Sequence, residues 1–286
     1  MDASLVRWLW RIGEPVHAIV YFHPASTDAW AAAGLRGFWR GYFATRAAPL
    51  GAVGPGPVTA TFYNFHPAMV ARALPEVWTM ASPEQAIGAR LAGADAALCD
   101  VLGPDAERAD LAPTADVLRR ALDGVTVVGR ALFAANVALP WPDEPRLSLW
   151  HALTLLREHR GDGHNVSLVA AGIGGCAAHV LAAAVGGAPR DVTQPARGWS
   201  DEDWDAAVDE LSGRGLVTTD GRATASGRDL HATVERRTDE LASEPWRHLD
   251  DDALEEVSAT LARLAGRVAS AGVIRFPNPM GLPAAR

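Results

Sequence analysis

The densest run of polar and titratable side chains is Leu155-Leu156-Arg157-Glu158-His159-Arg160-Gly161-Asp162-Gly163-His164-Asn165. A carboxylate beside an imidazole in a dry pocket shifts the pKa of both groups, which is what acid–base catalysis requires. Glu158, His159 and His164 are therefore the candidate acid–base residues, joined by Tyr63 and His66 from Tyr63-Asn64-Phe65-His66-Pro67. Arg157 and Arg40 suit an anionic substrate group and Trp39 a planar ring. Asn64, His151, Tyr21 and His17 complete the candidate substrate lining. Glu158, His159, His164 and His151 also make a nitrogen and oxygen donor set, but their spacing matches no strong metal template. No metal is assigned and no cofactor is named. Gly172-Ile173-Gly174-Gly175 follows a helical segment rather than a strand, so it is not read as a dinucleotide loop. The competing reading places Glu158 and His159 at a helix C-terminus, where the dipole stabilises His, with Asp162 capping the next helix.

Helices must position these groups. From Arg146 to Arg160, residues His151, Leu155, Glu158 and His159 fall at i, i+4, i+7 and i+8, one broad helical face. The rigid segment Pro140 to Pro145 precedes it. Arg160-Gly161-Asp162-Gly163 is read as a sharp turn returning His164 to the same end, with a new helix from Asn165. Glu14, His17 and Tyr21 share a face beyond the first helical run, and Arg36, Trp39, Arg40 and Phe43 share another. Phe-His-Pro occurs at Phe22-His23-Pro24 and again at Phe65-His66-Pro67, which suggests two similarly built helix–turn units. Gly186 to Gly198 lacks periodicity and marks the boundary between a helical body at 1–190, with the candidate pocket, and a second unit at 199–286.

In the second unit, Ser200 and Asp203 form a capping-box pattern, and Trp204, Val208 and Leu211 mark a buried helix face. Leu216-Val217-Thr218-Thr219, Asp220-Gly221 and Arg222-Ala223-Thr224 read as a β-hairpin before a long helix. On Leu211, Arg214-Gly215-Leu216-Val217, Asp220-Gly221-Arg222, Thr224 and Gly227-Arg228, this unit resembles the winged helix of MarR-like regulators. The whole chain also resembles an actinobacterial group of helix-turn-helix proteins, through Arg36 to Phe43, Phe62 to Phe65, Leu139-Pro140-Trp141 and Leu156 to His164. The expected fold is thus mainly α: a multi-helix body, then a winged-helix (helix–β-hairpin–helix) domain and a C-terminal helix. The resemblance implies no particular chemistry.

In a winged helix, the helix before the wing enters the major groove. Here it is acidic from Asp201 to Glu210, with no base until Arg214. At about 1 kcal/mol of repulsion per carboxylate, phosphates would reject it. Nucleic acid is therefore not expected as a partner, and packing or dimerisation is the role read for this unit. Leu254, Val257, Leu261, Leu264 and Val268 in the last helix suit a homodimer, and the tail Arg275 to Met280 is read as lying over a surface or pocket.

Composition sets the outer limits. The chain has 286 residues, 49% hydrophobic and 21% charged, enough for one large core or two domains. The formal charge of −8 gives no general attraction to nucleic acid. Every basic residue is Arg, and with the Ala, Gly and Pro excess this points to a GC-rich genome such as an actinobacterium. No membrane-spanning run or leader is read, so the expected location is cytoplasmic and no membrane partner is expected. Cys99 and Cys176 are read as core residues in a reducing compartment. The leading expectation is a small-molecule enzyme or ligand-binding protein using a His/Glu/Tyr pocket for acid–base chemistry. The alternative is a MarR-like, ligand-responsive transcription regulator.

Overall fold

A computed structural model describes residues 2–107 and 110–282, and among them helices are the only extended regular structure. The first half contains α1 (Ala3–Ala18), α2 (Pro24–Ala32), α3 (Phe38–Ala47), α4 (Pro55–Phe62), α5 (Pro67–Ala71), α6 (Pro83–Leu102), α7 (Leu111–Leu122) and α8 (Ala131–Val137). Then follow α9 (Pro145–Ala170), α10 (Gly175–Ala184), α11 (Arg190–Arg197), α12 (Asp201–Gly213), α13 (Ala225–Leu241) and α14 (Asp251–Ala271). Proline occupies the first turn of α2, α4, α5, α6 and α9, where its missing N–H is no loss. Both Phe-His-Pro segments do the same work. His23 and His66 cap α2 and α5 by accepting the N–H of Ala25 and Ala68 through Nδ1, and the proline opens the helix.

The central element is α9, which packs against α1, α6, α7, α8 and α13. The expected turn at Arg160 to Gly163 does not form: one helix runs unbroken from Pro145 to Ala170. Its glycines mark close approach instead. A Cβ on Gly163 would lie 3.0 Å from Arg130 Nη1 and 3.2 Å from Leu241 Cβ. Asp162, between the glycines, accepts the backbone N–H of Phe133 at 2.9 Å. Tertiary contacts thus outweigh the roughly 1 kcal/mol helix cost of each glycine.

Three apolar cores surround this axis. The largest joins Val6 and Leu9 of α1 to Leu118, Trp150, Val257, Leu261 and Leu282, so the two ends of the chain pack together. A second lies under the aromatic residues of α3 and α4. The third runs from Leu168 through α10 and α12 to Val234. The apolar stripe of α14, which suggested a second copy, is buried within the chain against α1, α6 and α7. No single helix among the described residues is long and apolar enough to cross a membrane.

The expected β-hairpin, and with it the winged-helix part of the fold class, is not formed. One antiparallel bridge, Val217–Ala223, stands alone, with Thr218 N–H bonded to Arg222 O at 2.8 Å. Gly215 and Gly221, both at positive φ, leave arms too short for strands, and among the described residues no third strand pairs with them. Thr224 N–H still donates to Leu216 O at 3.0 Å, but there its side chain caps α13 by accepting the Gly227 N–H at 3.1 Å, and the pairing ends. The mainly helical expectation holds.

The two α9 glycines give a paired prediction. Gly163→Ala should destabilise by about 1–3 kcal/mol through overpacking. Gly161→Ala, whose Cβ would meet only Glu158 Oε2 at 3.9 Å, should stabilise by up to about 1 kcal/mol. Chemical denaturation of both variants reads the difference in sign.

Candidate functional site

Glu158 lies on the buried side of α9 between two arginines. Arg46 Nη2 donates to both carboxylate oxygens, at 3.0 and 3.1 Å, and Arg157 Nη1 donates to Oε1 at 2.8 Å. Arg157 Nε donates onward to Glu14 Oε1 at 2.9 Å, and Arg46 Nη1 to the Tyr42 hydroxyl at 2.9 Å. Burial pushes the Glu158 pKa up, but Arg46 and then Arg157 hold it below the ordinary carboxylate value overall. Glu14 goes the other way, because burial outweighs Arg157. Glu158 is thus held as the anion between two arginines.

The other predicted acid–base groups are dispersed. His159 leaves Glu158 and packs edge-on against Phe133 at 4.9 Å, and burial drives its pKa down to about 3. His164 faces Thr238, Nδ1 to Oγ1 at 2.9 Å, and burial lowers it to about 4. Tyr63 donates its hydroxyl to Ile173 O at 2.5 Å, and the His66 ring meets Trp199 edge-on at 4.9 Å. His151 packs against Trp141 far along α9, and burial takes it to about 4. Among the described residues no group of three or more His, Cys, Asp or Glu is arranged to hold a metal ion.

The predicted substrate residues divide similarly. His17 stacks on Trp150 at 5.1 Å and sits beside Tyr21, whose pKa burial raises to about 12. Glu14, His17 and Tyr21 share a face as expected, and Arg157 of α9 meets them, stacking over Tyr21 at 5.5 Å. Trp39 belongs to the aromatic core, and Arg40 forms an exposed ion pair with Glu76 at 3.6 Å. Asn64 faces a cavity of about 560 Å³ that Arg157, Glu158 and His164 also line. Sequence reasoning missed Tyr42, Arg46 and Arg197 on this wall. Arg46 was one helical turn beyond the stretch considered, and Arg197 stood in the segment taken as a boundary.

Beside the cavity, α11 and α12 are joined by Gly198-Trp199-Ser200, with Gly198 at φ +76°, where only glycine is unstrained. Met69 also crowds this residue, lying 2.8 Å from where a Cβ would sit. The turn docks on the body: Trp199 Nε1 donates to Asn64 O at 3.0 Å, and His66 N–H to Arg197 O at 2.9 Å. Arg214 at the end of α12 donates to Gly172 O and Ala171 O at 2.7 and 3.0 Å, covering the carbonyl end of α9.

The acidity of α12 is partly compensated. Arg190 of α11 binds Asp201 at 2.7 Å and Asp205 at 3.0 Å, and Arg214 binds Glu210 at 3.2 Å. Asp203 is occupied by the capping box with Ser200 and lies 3.7 Å from His66 Nε2. Among the described residues only Glu202 and Asp209 of this helix have no cation within 4.0 Å. Arg190 and Arg214 together leave the helix acidic overall.

The chain matches a helix-turn-helix family over residues 6–275. It belongs to that family. Comparison with curated proteins and with solved structures finds no match. Membership corrects the leading expectation of a small-molecule enzyme or ligand-binding protein with an acid–base His/Glu/Tyr pocket. The geometry gives the reason, since the carboxylate is locked between arginines and the imidazoles are buried apart from it.

Two predictions follow from these buried groups. Glu158→Gln leaves Arg46 and Arg157 undercompensated and should cost about 3–5 kcal/mol in denaturant unfolding. His151, His159 and His179 are held neutral in the fold, burial lowering them from 6.5 to about 4, 3 and 3. The unfolded chain takes up these protons first, so stability is constant above about pH 7 and falls as pH drops from 6.5 towards 4. The loss at pH 5 should be roughly 1–2 kcal/mol per histidine, and urea titrations from pH 8 to 4.5 measure it.

Proposed function

We propose that the protein is a DNA-binding transcription regulator using α11, Gly198-Trp199-Ser200 and α12 as its helix-turn-helix. The supporting observation is the family match over residues 6–275, joined to a glycine-containing turn and a solvent-facing second helix. That placement leaves the outer face of α12 free for a major groove. Its carboxylates then have a recognition role, because Asp and Glu accept hydrogen bonds from the N4 amino group of cytosine. Glu202 and Asp209 are the assigned readers. Exposed Arg222 and Arg228, in the turn after α12 and the first turn of α13, are the assigned phosphate contacts. With few such contacts, binding should depend only shallowly on salt.

Response to a small ligand and pairing of two copies on half-sites about 34 Å apart extend the same reading. The lysine-free, Ala-, Gly- and Pro-rich composition supports an actinobacterial source, and a regulator of this kind acts in the cytoplasm.

Selection of bound duplexes from a random pool, followed by fluorescence anisotropy, tests the reading. A single motif with cytosines at fixed positions should emerge. Arg222→Glu with Arg228→Glu should weaken binding at least about tenfold while the melting temperature holds. Asp209→Asn should change base preference at one position. Absence of any enriched motif, with no binding at low salt, overturns the proposal.

A further inference from the structure

The cavity beside the helix-turn-helix has an unbalanced wall. Arg46 and Arg157 share Glu158, and Arg157 also holds Glu14. Arg7 and Arg160 share Asp239, and Arg7 also pairs with Glu235 at 2.7 Å. Among the described residues Arg197 has no carboxylate: its guanidinium donates to the backbone carbonyls of Ala196 and Pro279, and it lies over the Phe65 ring at 4.6 Å. Arg46, Arg157 and Tyr42 are close enough to influence its charge. A second observation concerns the same wall. Arg46, whose side chain is only 10% exposed, has no acceptor for Nε among the described residues, and Asn64 beside it carries an amide NH2 donor.

We propose that this cavity binds a small organic anion, a carboxylate or phosphate group on a planar ring, through Arg197, Arg46 and Asn64. The anion completes the charge balance at Arg197, and guanidinium groups match planar carboxylate and phosphate oxygens in pairs. The ring is accommodated along Tyr42, Phe62 and Phe65, which line one side. At about 560 Å³ the space is of the size that holds small molecules, roughly 300–1,000 Å³. No proton transfer is involved. The site is the reverse of an acid–base pocket, a set of fixed charges short of one anion.

The position carries a consequence that rests on the regulator reading, although the site itself does not. Arg197 is the last residue of α11, and Asn64 O holds the Trp199 side chain of the turn. An anion drawn to Arg197 competes with the Pro279 carbonyl of the tail that also lines the cavity. Occupancy therefore acts on the first helix and the turn of the helix-turn-helix.

Isothermal titration with benzoate, phenyl phosphate, inorganic phosphate and benzyl alcohol tests the site on the full chain. Saturable binding of benzoate or phenyl phosphate is expected, with benzyl alcohol and inorganic phosphate each at least about tenfold weaker. Arg197→Gln should lose that binding, and Arg197→Lys should recover part of it. Arg197→Lys, which can keep a bond to the Pro279 carbonyl, controls for any loss of melting temperature in Arg197→Gln. Asn64→Asp, which adds a like charge beside the anion, should weaken binding independently. The proposal is overturned if neither ring-bearing anion binds, if benzyl alcohol or inorganic phosphate binds equally well, or if Arg197→Gln binds normally. Anion binding without any DNA binding would sink the regulator reading and uphold the site. DNA binding that a bound anion leaves unaltered would remove the coupling alone.

Discussion

The buried Glu158 carboxylate sets the terms for the rest of the molecule. A charge this deep is tolerated only when it is paired and hydrogen-bonded on all sides. Arg46 from α3 and Arg157 from α9 meet that need, and Glu14 from α1 balances Arg157. Two carboxylates, Glu158 and Glu14, therefore tie three helices together. Among the described residues Arg197, the nearby cation from α11, is left without a protein anion.

A second set of ties links this body to the helix-turn-helix. Arg7 and Arg160 hold Asp239 of α13, and His164 meets Thr238 one residue away. Trp199, His66 and Arg214 hold the turn and the end of α12 against α5 and α9. These are mostly hydrogen bonds to backbone carbonyls and half-buried ion pairs, with one apolar core beneath them. Contacts of this kind fix orientation while leaving the outer face of α12 exposed.

Much of the local structure was legible. Caps at Ser82 and Ser200, proline-led helix starts and the Glu14/His17/Tyr21 face follow from side-chain geometry within one or two turns. The glycines of α9 were read as a turn because their local preference is for one. Arg130 and Leu241, distant in sequence, decide otherwise by packing against Gly163. The turn residues that suggest a hairpin are present, but among the described residues no neighbouring strand extends the single bridge. The acidic character of α12 was plain, whereas its compensation by Arg190 and Arg214 depends on how α11 and α12 cross.

The candidate site divides along the same line. By itself, the sequence determined that the chain is mainly helical, that α9 carries a concentration of charge, and where most helices begin. Those properties depend on spacing, capping and composition, which act over a few residues. Only the tertiary structure decided that Glu158 pairs with Arg46, that His159 and His164 turn away from it, and that Arg197 stands at a cavity without a carboxylate. Partners separated by dozens of residues are chosen by the packing of whole helices. Burial then sets which charges must be paired and which are left to attract something else.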